Sequence, residues 1–169
     1  MAKTIKGDWH ENTLKEVVDY LKNNLSDEYK VMRSHTHPKL QIFSCENDEK
    51  IGSNNRMADV DIIAVKDNKV EYVVEVQKDG NRPKDIIGII GAINLATFCS
   101  PYKRKGERYK YVMSDVKFIL IVTYKSKWKR EQMNLINKKL LVEGGCIKKY
   151  KILEYGDFLK LKEQGKLPL

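Results

Sequence analysis

Along the first quarter of the chain, apolar residues recur at Leu14, Val17, Val18, Leu21 and Leu25, the spacing of one face of an amphipathic helix. This predicts a helix over about 11–25, with Asp8 as a candidate N-cap and Glu11 three residues on, as in a capping box. The pattern then changes. "EYKVMRS" and "KLQIFS" read as strands, and the polar stretch Cys45 to Asn55 reads as a loop. Two further strands follow, Ala58 to Val65 and Val70 to Gln77, with a turn around "KDNK". "NRPKD" opens a second helix, with Pro83 suited to its first turn, and the helix is expected to continue through "IIGIIGAINLATF". That segment is apolar almost all round, which predicts burial. Gly88, Gly91 and Ala92 form a small-residue stripe suited to close packing on a sheet. "VKFILIVTY" reads as the central strand, "KWKREQMNLINKKLL" as a helix, "IKKYKILEY" as a strand and "GDFLKLKEQG" as a short last helix. The whole predicts a single domain over residues 1–169, α/β in class, with a mixed central sheet flanked by helices.

The register of the hairpin decides which polar residues meet. Asp59 and Asp61 share one strand face, as do Glu75 and Gln77 on the next. A two-residue loop at Asp67-Asn68 turns Asp61 away from Glu75, whereas a three-residue loop, Asp67 to Lys69, sets Asp61 opposite Glu75 and Asp59 opposite Gln77. The hydrophobic pattern favours the second register, because it puts Val60, Ile62 and Ala64 opposite Val76, Val74 and Tyr72. A bulge would have the same effect as the longer loop. Acids gathered in this way repel one another unless a cation sits between them, and hard cations such as Mg²⁺ prefer oxygen ligands. The plainer alternative is a solvated acidic face. Glu11 speaks against it, lying about 60° from Leu14 on the helix wheel, at the edge of the apolar stripe, while Glu16 and Asp19 point toward water. His10 either hydrogen-bonds at the same site or sits exposed on the first turn. His35 and His37 share a strand face without a third ligand.

Charge adds a partner. The formal net charge is +9, yet residues 1–100 hold 14 basic and 16 acidic side chains, against 18 and 7 in residues 101–169. An acidic first half beside a basic second half suits a metal site next to a polyanion-binding surface. "PYKRKGERYKY" carries Lys103, Arg104, Lys105 and Arg108 among three tyrosines, and "KSKWKR" carries Lys127, Lys129 and Arg130 around Trp128. Such side chains contact phosphates, and Tyr102, Tyr109 and Trp128 either stack on bases or anchor loops. Arg56 and Arg82 lie beside the acidic strands in the chain and are further candidates for DNA contact. The longest mostly apolar stretch, Ile86 to Phe98, has 13 residues, too few for a bilayer span, and the start lacks the apolar core of a secretory signal. Three scattered cysteines suit reduced thiols in a cytoplasm.

At this point "ADVDIIAVKDNKVEYVVEVQ" resembles the core of the PD-(D/E)XK nuclease superfamily, in which an aspartate on one strand precedes a hairpin and a Glu-x-Lys strand. "IKGDWHEN", "VDIIAV" and "VEVQ" further resemble segments of archaeal Holliday junction resolvases. The resemblance implies a restriction-endonuclease-like αβββαβ core. It also implies a Mg²⁺- or Mn²⁺-dependent DNA endonuclease, junction-resolving or of restriction type, acting as a homodimer. It implies Asp61 and Glu75 as metal ligands, Glu11 as a helix-borne ligand, the backbone carbonyl of Val76 as a further ligand, and Asp59 as an extra acid, with Asp59 and Asp61 competing for the place of the motif aspartate. Gln77 stands where the family has its lysine. An amide orients water by hydrogen bonding but supplies no charge. Lys84, at the start of the second helix, either reaches back to replace that charge or is an ordinary solvated residue. Loss of the lysine also leaves open a nuclease-fold module that binds DNA or protein without catalysis.

Overall fold

The computed structural model describes residues 8–34, 39–45, 52–77, 83–102, 110–123 and 145–169, together with Glu131 and Leu135. Helix α1 spans Asp8–Asn24 and is followed by strands β1 (Lys30–Arg33) and β2 (Lys39–Phe43). A short 3₁₀ turn, Ser53–Asn55, leads into β3 (Arg56–Val60), β4 (Ile62–Lys66) and β5 (Lys69–Gln77). Helix α2 (Pro83–Leu95), β6 (Phe98–Tyr102), β7 (Tyr111–Val122), β8 (Ile147–Glu154) and α3 (Tyr155–Glu163) complete the described chain. Of the helix expected over 127–141, Glu131 and Leu135 are described, both helical. Among the described residues no helix is long and apolar enough to cross a membrane.

All eight described strands form one mixed sheet, in the order β1-β4-β5-β7-β6-β2-β3, with β8 also paired to β7. β5 and β7 run parallel at its centre, and β8 is parallel to β7; the other pairings are antiparallel. A strand buried on both faces should read as a continuous apolar run, and "FILIV" in β7 does. Only Asp61 separates β3 from β4, although the two lie at opposite ends of the strand order. The sheet therefore curls until its last strand is continuous in chain with its second. One hydrophobic cluster joins α2 to the face bearing Leu40, Ile42, Ile63, Val73, Phe118 and Leu120. The other joins α1 and α3 to Ile62, Ala64, Val74, Val76, Ile119 and Ile121. A mixed sheet with helices on both faces is the architecture the sequence predicts.

Four details differ from expectation. The hairpin turn has two residues, not three: Lys66 pairs with Lys69, and Asp67 and Asn68 take positive φ of 49° and 62°. Short polar side chains tolerate that conformation, and two such residues form the turn whose twist suits a hairpin. A bulge on β5 at Glu71 then restores the expected register, so that Ala64 faces Tyr72 and Ile62 faces Val74. The strand expected over Ala58 to Val65 breaks at Asp61, and Val60 consequently joins the α2-side cluster instead of the face of Ile62. Helix α2 stops at Leu95, and "FCSPY" is strand β6. Pro101 cannot continue a helix, and Thr97 is tied by its N–H to the Phe43 carbonyl at 2.8 Å and by its hydroxyl to the Cys45 carbonyl at 2.7 Å. Finally, α2 is not buried all round. Ile86, Ile90 and Ile93 pack inward, whereas Ile87 is 47% and Leu95 61% exposed, and a Cβ added at Gly88 or Gly91 would meet nothing. One stripe of isoleucines is enough to fill the sheet face, so the glycines look outward.

Candidate functional site

The site is made by the break at Asp61. Up to Ile62 the antiparallel ladder binds β4 to β5; beyond it β3 leaves to pair with β2. The backbone groups of β5 past Val74 thereby lose their ladder partners on that side, and side chains replace them. The Val76 N–H donates to Asp61 Oδ2 at 2.9 Å, and the Asp61 N–H donates to Glu75 Oε1 at 3.0 Å. Asp61 and Glu75 therefore clasp the two strands at the point where they part, in the opposition the register predicts.

This clasp leaves two carboxylates close together and little hydrated. Glu75 is only 9% exposed. Burial pushes its carboxyl well above the usual range, and the nearby charge of Asp61 pushes the same way. Burial also raises Asp61, against the opposing pull of the Val76 N–H and of His10. Hydrogen bonds from backbone amides favour a carboxylate, but here desolvation outweighs them.

Helix α1 brings His10 to this pair, not Glu11. His10 Nε2 donates to the Val76 carbonyl at 2.9 Å and lies 3.6 Å from Asp61 Oδ2. The reason is helical phase: His10 stands four residues before Leu14 and seven before Val17, on the axis of the buried stripe. Glu11 turns its carboxylate to the sheet as expected, but, one position off that axis, it meets the edge strand and accepts from Arg33 Nη1 of β1 at 3.0 Å. Glu16, expected to face water, accepts from the Tyr155 hydroxyl at 3.0 Å and lies 3.7 Å from Lys162.

Asp59 stands apart from the clasp. On β3 it accepts from Arg56 Nη2 at 2.6 Å and from Gln41 Nε2 at 3.2 Å, with Lys39 Nζ at 3.5 Å. It does not face Gln77, because β3 has already left β5, although its charge still adds to the upward push on Glu75. Gln77 is half-buried at the end of β5, where its carbonyl accepts from the Thr123 N–H at 3.3 Å. Lys84 is exposed in the first turn of α2. Of the expected DNA contacts, Arg56 is described and is held by Asp59; Arg82, Lys103, Arg104, Lys105, Arg108, Lys127, Lys129 and Arg130 lie outside the described residues, as do His35 and His37.

What the break assembles is thus two carboxylates and one backbone carbonyl, all hard oxygens of the kind Mg²⁺ takes together with waters. Among the described residues no three His, Cys, Asp or Glu side chains form a ready-made metal cluster. The partners of the acids, Arg33 and Gln41, went unseen in the sequence. Gln41 alternates between the apolar Leu40 and Ile42, which marks it as facing away from them. No family model, curated protein or solved structure matches the chain.

Proposed function

We propose that this protein is a divalent-metal-dependent DNA endonuclease of restriction-endonuclease-like fold, hydrolysing phosphodiester bonds at the Asp61–Glu75 site. The observation that carries the reading is geometric: two little-hydrated carboxylates are clasped across the strand break beside the Val76 carbonyl, and burial pushes both upward in pKa. Two acids held together in a desolvated place are poorly served by the metal-free protein and well served by a cation. Asp61, Glu75 and the Val76 carbonyl would hold Mg²⁺ or Mn²⁺, with Asp59 as the next acid along the chain. A bound ion supplies an activated water and stabilises charge on the phosphate during in-line attack. Gln77, two residues beyond Glu75 on the same strand, would orient a water by hydrogen bonding without adding charge. DNA is the substrate that the basic second half favours, with 18 basic against 7 acidic residues over 101–169. A homodimer would bring two such sites to the two strands.

A second reading has its own support. Both carboxylates already accept a backbone N–H, so the clasp also explains itself as the fastening of two diverging strands, and Gln77 lacks the family's charge. On that reading the domain binds DNA or protein and cuts nothing. Supercoiled, linear and four-way-junction DNA incubated with Mg²⁺, Mn²⁺ or EDTA separates the two. The nuclease gives metal-dependent cutting that Asp61→Ala and Glu75→Ala abolish. Salt-sensitive binding without any cutting establishes the inactive module. Cutting confined to junctions separates a resolvase from an enzyme of restriction type.

A further inference from the structure

We infer that His10 competes with the divalent cation for the oxygens of the site, and so sets its metal affinity. The inference rests on the reading of Asp61, Glu75 and Val76 as a metal centre. The Val76 carbonyl lies where β5 has lost its ladder partner, and a buried carbonyl left without a donor is costly. His10 removes that cost: its Nε2 is 2.9 Å from the carbonyl oxygen and 3.6 Å from Asp61 Oδ2, so one ring nitrogen sits beside both oxygens. These are the atoms a cation would need. A carbonyl oxygen only accepts, so Nε2 must carry its hydrogen to bond it. That places an N–H dipole, positive end inward, in the space the ion would enter. A metal-ligating imidazole would instead present a bare lone pair at this nitrogen. The geometry therefore favours exclusion over ligation.

The ring is also free to leave. The His10 side chain is 39% exposed, on the first turn of α1, while Leu14, Val17 and Leu21 anchor the helix. Rotation toward solvent leaves those anchors in place, and the incoming ion takes over the carbonyl that the ring gives up. His10 thus stabilises the metal-free site, and the ion must displace it.

Titration of Mn²⁺ into the full-length protein, followed by calorimetry and by the loss of the free-ion electron paramagnetic signal, tests this directly. His10→Ala should bind Mn²⁺ about fivefold more tightly than the unsubstituted protein, the factor one net hydrogen bond is worth. His10→Gln, whose amide can still donate to the carbonyl, should fall between the two. Without metal, His10→Ala should melt at a lower temperature than the unsubstituted protein, and saturating Mn²⁺ should narrow the gap. His10→Gln keeps the test open should His10→Ala fold poorly by circular dichroism. Weaker or unchanged Mn²⁺ binding in both variants, with binding intact in the unsubstituted protein, overturns the inference and leaves the metal centre standing. Absence of binding in all three proteins overturns both.

Discussion

β3 and β4 are halves of one extended run with a single residue between them, yet they live in different surroundings. β4 is held between β1 and β5, and four of its five residues are buried. Among the described strands β3 pairs with β2 alone, and its first two residues are exposed. Their acids follow suit. Asp59, on the open half, is met by Arg56, Lys39 and Gln41. Asp61, at the junction, is met by a backbone N–H, by His10 and by a second carboxylate. Two aspartates in the same tripeptide therefore differ in what surrounds them. Asp59 has lysine and arginine as countercharges; the Asp61–Glu75 pair is held by backbone dipoles and a histidine. What the backbone around an acid pairs with, more than its spacing in the chain, decides whether the acid gains countercharges or is left to backbone dipoles.

The largest effect should come from removing acids on either side of the junction. Asp61→Ala and Glu75→Ala should each lower metal-dependent DNA cleavage by about a thousandfold, the scale on which preorganised charge-stabilising groups act. Asp59→Ala should stay within about tenfold, because its charge is already balanced and it only borders the site. Initial rates on plasmid DNA measure the contrast. Equal losses from all three would erase the distinction drawn between β3 and β4.

Stability should move the opposite way to activity. The raised carboxyl of Glu75 means that the folded protein keeps a proton which the unfolded chain releases near its ordinary value of 4.5. Above that value the folded state binds more protons than the unfolded one, so metal-free stability should fall as pH rises, until Glu75 is ionised in both states. Asp61, raised from 3.8, contributes with the same sign. Urea denaturation in EDTA between pH 4 and pH 8 should show this decline, and Mn²⁺ should counter it at the alkaline end. Glu75→Gln keeps an oxygen for the Asp61 N–H while removing the buried charge. At pH 8 in EDTA it should be more stable to urea than the unsubstituted protein while losing cleavage, because the buried charge that opposes folding there is gone. A destabilised Glu75→Gln would mean that the clasp needs its charge.

The opposition of Asp61 and Glu75 was legible in the sequence because one register buries apolar residues and a slip of one residue would not. How the register is reached was not legible: a three-residue loop and a two-residue turn with a bulge at Glu71 give the same pairing beyond Ala64. The helices α1 and α2 and the strand β7 stood out by their long periods. Strand β6 did not, since "FCSPY" continues the apolar run of α2 and only Pro101 marks the change. At the site, the break at Asp61 carried no local signal. Nothing in "ADVDIIAV" is a glycine or proline, and the bend arises because β2 and β5 claim different parts of the same run. For the same reason Asp59 was expected opposite Gln77 and is found opposite Gln41. The exchange of Glu11 for His10 was within reach of the sequence: His10 continues the spacing of Leu14, Val17 and Leu21 toward the N-terminus, whereas the carboxylate at Glu11 drew attention by its chemistry.

The smallest effect probes the open half alone. Asp59→Asn removes the charge that Arg56 and Lys39 approach but leaves an oxygen that can accept from Gln41 Nε2. Gln41 is buried, so that remaining bond matters more to folding than either ion pair. The acid and both cations are partly exposed, and pairs of that kind contribute about 0–1 kcal/mol and are screened by salt. Asp59→Asn should therefore cost about 0.5 kcal/mol by urea denaturation at low salt, and less in half-molar NaCl. Asp59→Ala, which also strands the Gln41 amide, should cost about 1–3 kcal/mol that salt does not relieve. A salt-insensitive loss of that size already in Asp59→Asn would place this aspartate in the same dehydrated setting as Asp61. β3 would then be an extension of the buried clasp, not the neutralised, solvent-facing half of the run.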